Sequence, residues 1–393
     1  MPVLPRVVLK KGKERPLLRG HPWVFSGAVA RVEGDVSPGD MGEVYSHEGR
    51  FLGVGYVNPQ SQIVFRVLTR ERKGLEAEFF KERIWKASLL REGWLRGKTN
   101  AYRIVNGEGD FLPGLVVDRY GETLVLQCLT AGMERLKSLF IDLLVKQFQP
   151  ERIYERSDVA TRREEGMAEV HGLLCGREIP ERVEIEELGC RFEVDVKRGQ
   201  KTGFYLDQRE NRCSLKKVSQ GKRVLDCFSY TGAFSIQAGM AGAKEVTMID
   251  SSKEALEMAE DHFTLNHLEE IPHQLIREDA FEAMRSLQPG YDIAILDPPP
   301  FAKKKGHLPK ASRGYKDLNL QAFRLLKSEG LLFTFSCSHY MSWDLFQKVV
   351  FSAAVDAGRE VQLLARMGHP VDHPINLCHP EGEYLKGFVC RVL

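Results

Sequence analysis

The sequence predicts an α/β chain in three parts, the last a doubly wound parallel sheet of seven strands with helices on both faces. Three observations predict it. After Lys197, strand-sized apolar runs alternate regularly with helical stretches, the pattern of a parallel sheet. Before about residue 73, short β-runs are broken by Gly and Pro turns such as SPGD and NPQS, as in a small β-barrel. At 393 residues the chain is also longer than one ordinary core supports.

In the N-terminal part, 1–73, the strands are expected at 5–10, 41–45, 51–56 and 63–68. A linking helix follows over 76–95, where Phe79, Phe80, Ile84 and Ala87 keep helical spacing. The central part, 74–190, reads as an α+β domain with one good helix at 133–149. In the last part, 191–393, strands are expected at 223–227, 245–249, 273–277, 293–296, 331–336, 360–367 and 384–392. Helices are expected at 254–266, 281–287, 318–327 and 343–357, the first opened by a Ser251/Glu254 capping box. The last two strands have no helix-length segment between them, so they are expected to pair antiparallel at one edge. That ending separates the methyltransferase version of such a sheet from a dinucleotide-binding one.

No apolar run approaches the roughly 18 residues that span a bilayer, and the N-terminus lacks the apolar core and cleavage site of a secretory signal. A cytoplasmic protein with no membrane partner is expected. The eight cysteines show no C-x-x-C pairing, which argues against a disulfide framework and against a bound metal. A net charge of +2 hides an asymmetry, because residues 1–73 hold 12 Lys and Arg against 7 Asp and Glu. Basic charge gathered in a small terminal domain suits phosphate binding, and the aromatics of HPWVF, with His21 and Trp23, are candidates to line an RNA-facing surface.

In doubly wound sheets ligands sit beyond the carboxyl ends of the strands, at the switch point. Here the first strand runs into Asp226, Cys227, Phe228, Ser229, Tyr230, Thr231 and Gly232. A dinucleotide wants G-x-G-x-x-G for its pyrophosphate. This turn has one glycine, which suits S-adenosylmethionine, a cofactor without phosphate. Asp250, followed by Ser251, ends the second strand, where a carboxylate accepts both ribose hydroxyls. Asp279, followed by Ala280, ends the third, placed to accept from the adenine amino group. Three acids at three successive strand ends point to one cofactor.

The fourth strand ends in Asp297, Pro298, Pro299, Pro300 and Phe301, and the fifth in Ser336, Cys337 and Ser338. Prolines cannot continue a ladder, so the chain turns out at the cofactor's methyl end with Asp297 and Pro299 facing it. Cys337 is the expected nucleophile: a thiolate added to C6 of cytosine makes C5 an enamine carbon able to attack a methyl sulfonium. Asp297 is expected to support N3 as negative charge moves onto the ring. Between Asp297 and the next helix, Lys303, Lys304, Lys305, Lys310, Arg313 and Lys316 are read as a flexible basic loop holding phosphates beside an extruded base.

These residues resemble the RlmI-like bacterial ribosomal RNA cytosine-C5 methyltransferases, and the similarity covers nearly the whole chain. The stretches that carry it are RGHPWVFSGAV, EGDFLPGLVVDRYG, YERSDVATRREEGM, KTGFYLDQR, DCFSYTGAFS, LDPPPFAKKK, RGYKDLNLQA, FTFSCS and EGEYLKGFVCRV. The resemblance implies a PUA-like RNA-binding domain, a central α+β domain and a Rossmann-like class I methyltransferase domain. It also implies S-adenosylmethionine as cofactor and ribosomal RNA, in the large subunit or its assembly intermediate, as partner; a homodimer is compatible with it. By the same resemblance Cys337 is the nucleophile, the residues from Asp226 to Gly232 with Asp250, Asp279 and Asp297 form the pocket, and Tyr205 and Arg209 close over the cofactor. One departure stands out: the family's DPP element is usually followed by Lys, where this chain has Pro300.

Two other readings stay open on the residues. A guanine or adenine nitrogen methyltransferase would use Asp297 and Phe301 and need no thiol. A non-catalytic RNA-binding assembly factor would keep the fold without turnover.

Overall fold

The computed structural model describes residues 4–302 and 304–393, and the chain forms two compact units. The first comprises 1–185, 194–206 and 371–382; the second comprises 186–193, 207–370 and 383–393. The units are thus discontinuous in sequence: 371–382, read above as part of a contiguous last domain, belongs to the first unit. It is held there by Asp372, whose carboxylate accepts from Arg103 N at 2.9 Å and whose carbonyl accepts from Arg91 at 2.8 Å.

The first unit holds two sheets. In the N-terminal one, six strands run in the order Trp23–Phe25, Ile63–Thr69, Phe51–Val57, Met41–Tyr45, Arg6–Leu9 and Val29–Glu33 around a core of Val7, Leu9, Val24, Val44, Val57 and Phe65. Four of these strands match expectation. Trp23–Phe25 and Val29–Glu33 were not expected, being short or largely exposed and so carrying little apolar alternation. The second sheet has five strands, with Ala101–Asn106 and Val170–Gly176 at its edges. The helix expected at 133–149 is divided into Ala131–Arg135 and Lys137–Phe148. A buried ion pair, Arg66 to Glu165 at 2.8 Å, ties the N-terminal sheet to the following domain, and Tyr56 donates to Pro113 O at 2.7 Å.

The second unit carries the seven-stranded sheet. In chain order its strands are Arg223–Cys227, Glu245–Asp250, His273–Arg277, Tyr291–Leu296, Leu326–Ser336, Val361–Met367 and Lys386–Val392. In space they lie 3-2-1-4-5-7-6. The first five are parallel, and the seventh inserts antiparallel between the fifth and sixth. The central strands are near-continuous apolar runs because both faces are covered by helices. Helix Lys253–Leu265 is capped by Ser252, whose Oγ accepts from Ala255 N at 3.1 Å, so the cap lies one residue beyond the expected Ser251.

The largest departure is helix Leu308–Leu325, which begins ten residues before the expected 318. Ala311, Tyr315, Leu318, Ala322 and Leu325 bury one face of it, and Pro309 sits in its first turn, where its missing N–H costs nothing. Among the described residues no helix is long and apolar enough to cross a membrane.

Candidate active site

The first and fourth strands are neighbours, so the strand order reverses between them, and the site forms beyond their carboxyl ends. The turn after the first strand is unusual in its backbone. Phe228, Tyr230 and Gly232 all adopt positive φ, at 61°, 48° and 74°. Positive φ costs non-glycine residues energy and persists where the surroundings over-determine it. Here Ser229 N donates to Ile249 O at 3.1 Å and Tyr230 N donates to Asp250 Oδ2 at 2.8 Å. At Gly232 a Cβ would lie 3.0 Å from Ala259 Cβ, so helix Lys253–Leu265 could not pack as closely.

The three acids sit in three different environments. Asp226 is buried; its Oδ2 accepts from Ser235 Oγ at 2.7 Å, while its Oδ1 is buried with no hydrogen-bond partner. Burial, reinforced by the charges of Asp297 and Asp250, pushes its carboxyl up to about 7. Asp250 accepts from two backbone N–H groups, Tyr230 and Ser252, and each oxygen keeps a second lone pair. Asp279 is the N-cap of helix Ala280–Ser286 and accepts from Phe281 N at 2.9 Å. Ser251 is exposed beside Asp250, and Ala280 is buried. An orphaned buried carboxylate oxygen invites a cationic donor, and the α-ammonium of S-adenosylmethionine is one; the residues present fit that cofactor.

The ends of the fourth and fifth strands meet at the thiol. Cys337 Sγ lies 3.6 Å from Pro298 O, the residue after Asp297. Pro298 is buried, whereas Pro299 and Pro300 are exposed. The segment around Cys337 is clamped on both sides by Tyr315, whose hydroxyl accepts from Ser336 Oγ at 3.0 Å and lies 3.1 Å from Ser338 Oγ. The buried Lys386 donates to Ser338 O at 3.2 Å and to Tyr384 O at 3.0 Å.

Comparison with known proteins settles the family. The chain is 44% identical over 394 residues to ribosomal RNA large subunit methyltransferase I of Escherichia coli, covering 99% of each, and 44% identical over 398 residues to the Salmonella arizonae protein of the same name, covering 100% of this chain and 98% of that one. The chain belongs to the ribosomal RNA large subunit methyltransferase I family. A PUA-like domain matches residues 7–70, and an S-adenosylmethionine-dependent methyltransferase domain matches 163–347. Among solved structures, an S-adenosylmethionine-dependent methyltransferase from Streptococcus mutans covers 98% of this chain and 100% of its own at TM-score 0.83 and 26% identity. A methyltransferase complexed with S-adenosylhomocysteine gives the same coverage at TM-score 0.85 and 27% identity. S-Adenosylmethionine is the cofactor of this family member.

Several expected site residues have partners within the protein. Arg209 is buried against Glu187 at 3.4 Å, and Arg212 pairs with the same carboxylate at 2.8 Å. Tyr205, in the first unit, hydrogen-bonds Gln200 and carries the Lys201 ammonium 4.7 Å from its ring. His21 and Trp23 are turned toward their own unit: His21 Nε2 meets Glu381 at 3.2 Å, and Trp23 Nε1 donates to Glu108 at 2.9 Å.

The basic stretch is not a flexible loop. Lys305 opens a short turn, and Lys310, Arg313 and Lys316 ride on helix Leu308–Leu325; Lys303 lies outside the described residues. Lys304, Lys305, Lys310 and Arg313 are exposed, whereas Lys316 pairs with Asp356 at 2.6 Å.

Three residues of the site's support went unforeseen: Tyr315, Lys386 and His262. The buried His262 accepts from Glu193 N at 2.9 Å through Nε2, which makes Nδ1 the donor to Thr231 O at 2.8 Å in the cofactor turn. RGYKD and EYLKG were visible as motifs, yet nothing local assigned Tyr315 or Lys386 a partner.

Proposed function

We propose that this chain makes 5-methylcytosine in large-subunit ribosomal RNA, in the cytoplasm, through a covalent adduct between Cys337 and cytosine C6. The observation that carries this reading is the position of the thiol, 3.6 Å from Pro298 O, where the fourth and fifth strands end together. The names of the relatives from Escherichia coli and Salmonella arizonae support the RNA substrate, and the matching PUA-like domain supports RNA docking.

When bound, the cofactor supplies an electrophilic sulfonium methyl. Cys337 as thiolate adds to C6 and makes C5 nucleophilic toward the methyl that the bound cofactor would supply, with S-adenosylhomocysteine as the leaving group; loss of the C5 proton to a base then expels the thiolate. Asp297, carrying a proton, would donate it to N3 and so neutralise the charge that thiolate addition places on the pyrimidine. Asp226, Asp250 and Asp279 hold the ammonium, ribose and adenine ends of the cofactor.

Mass spectrometry of nucleosides from ribosomal RNA of cells lacking the protein tests this. Loss of one 5-methylcytosine from large-subunit RNA is expected. Loss of a methylated purine instead would reject the reading.

A further inference from the structure

One cavity in the second unit plays no part in the chemistry above. It has a volume of about 530 Å³ and is lined by Phe281, Phe301, His307, Lys310, Ala311 and Gly314, together with Gly306. None of Asp226, Asp250, Asp279, Asp297 and Cys337 lines it. Its floor is aromatic: the Phe281 and Phe301 rings lie 6.0 Å apart at 37°, and Phe301 is backed by Tyr315 at 4.7 Å. Its rim carries Lys310 and His307. Residues 298–316 contain no acid, and Lys304, Lys305 and Arg313, near the rim in sequence, are exposed.

Gly314 keeps the floor open. It lies inside helix Leu308–Leu325, where glycine lowers helix stability, and it does not have a positive φ to explain it. A Cβ there would sit 3.4 Å from Phe301 and 3.8 Å from Phe281, so alanine fits in ordinary contact and a longer side chain would fill the space over the rings.

We propose that this cavity is a second base-binding subsite, in which the nucleobase of a residue flanking the target stacks on Phe281 and Phe301 while its phosphate meets Lys310 and His307. An apolar peptide would leave the cations without counter-charge; a polyanion carrying flat rings satisfies both floor and rim. Phe301 is four residues from Asp297, a reach of at most about 14 Å. One strand can therefore present its target base at Asp297 and a neighbour here, and contacts to flanking nucleotides are how enzymes that extrude a base read its context.

The inference rests on the RNA-methyltransferase reading, and its test separates the two. Fluorescence anisotropy would compare an oligoadenylate of about 12 nucleotides with an abasic ribose-phosphate chain of equal length. Wild type is expected to prefer the base-bearing chain. Gly314→Leu should cut that preference by about 5- to 100-fold, the worth of one stacked base. Gly314→Ala should keep the preference, and both variants should keep wild-type affinity for S-adenosylhomocysteine. If Gly314→Leu does not fold, Phe281→Ala removes the floor from the other helix and should show the same loss. An unchanged preference in the filled or floorless variant overturns the subsite, as does an equal loss of S-adenosylhomocysteine affinity. Wild type that binds neither chain overturns the RNA reading together with the subsite.

Discussion

The ammonium of Lys386 donates to the carbonyl oxygen of Ser338 at 3.2 Å, one residue beyond Cys337. Burial pulls the Lys386 amine below its ordinary value. A cation held at this depth favours the thiolate. Lys386→Met is expected to slow alkylation of Cys337 by iodoacetamide about tenfold at neutral pH, and Lys386→Arg to restore most of the rate. Mass-spectrometric quantification of labelled Cys337 checks both.

Asp226 gives the site a pH signature. Its carboxyl rises from 3.8 to about 7 on folding, so the folded protein holds that proton more tightly than the unfolded chain. Its contribution therefore lowers stability as pH climbs from about 4 to 7. Asp226→Asn should remove that slope and melt higher than wild type above pH 7 when no cofactor is bound. Binding of S-adenosylhomocysteine should release a proton near pH 6.5 in wild type and none in the variant, measured by calorimetry in buffers of different ionisation enthalpy.

Asp250 is held by the N–H groups of Tyr230 and Ser252 and faces the cofactor turn. Asp250→Ala is expected to weaken S-adenosylhomocysteine binding by about 1.5–3 kcal/mol, the loss of charge-assisted hydrogen bonds. Titration calorimetry reads it directly.

The pair Arg66–Glu165 joins the N-terminal sheet to the central domain, with side chains 7% and 3% exposed. Asn58 also donates to Glu165, at 2.9 Å. Removing one partner leaves a buried charge, so Glu165→Ala should destabilise the first unit by about 3–5 kcal/mol, seen in urea denaturation. The N-terminal sheet is thus expected to unfold with the central domain.

Much of this architecture was legible because parallel strands announce themselves. Arg223–Cys227 and Tyr291–Leu296 are largely apolar runs with an acid at or just after their carboxyl ends, Asp226 and Asp297, so the fold and the candidate acids appear together. Helix Leu308–Leu325 was hidden because Gly306 precedes it, Pro309 and Gly314 punctuate it, and its exposed face carries Lys310 and Arg313. The role of 371–382 in the first unit was invisible for another reason. Asp372 finds Arg91 and Arg103 across more than 260 residues of chain, and no local period encodes such a contact. The pairing of Arg209 with Glu187 was not legible because the two lie 22 residues apart and no local period encodes the contact.

The covalent role of Cys337 is tested most directly with RNA bearing 5-fluorocytosine at the target position. After thiolate addition and methyl transfer, C5 has no proton to lose, so the enzyme and RNA should remain joined as a complex stable in denaturing gels, with the crosslink mapped to a peptide containing Cys337. Cys337→Ser should form no complex and lose turnover on the order of 10³-fold or more while binding S-adenosylhomocysteine as before. Methylation by Cys337→Ser at a rate comparable to wild type, or a crosslink at another cysteine, would contradict the account.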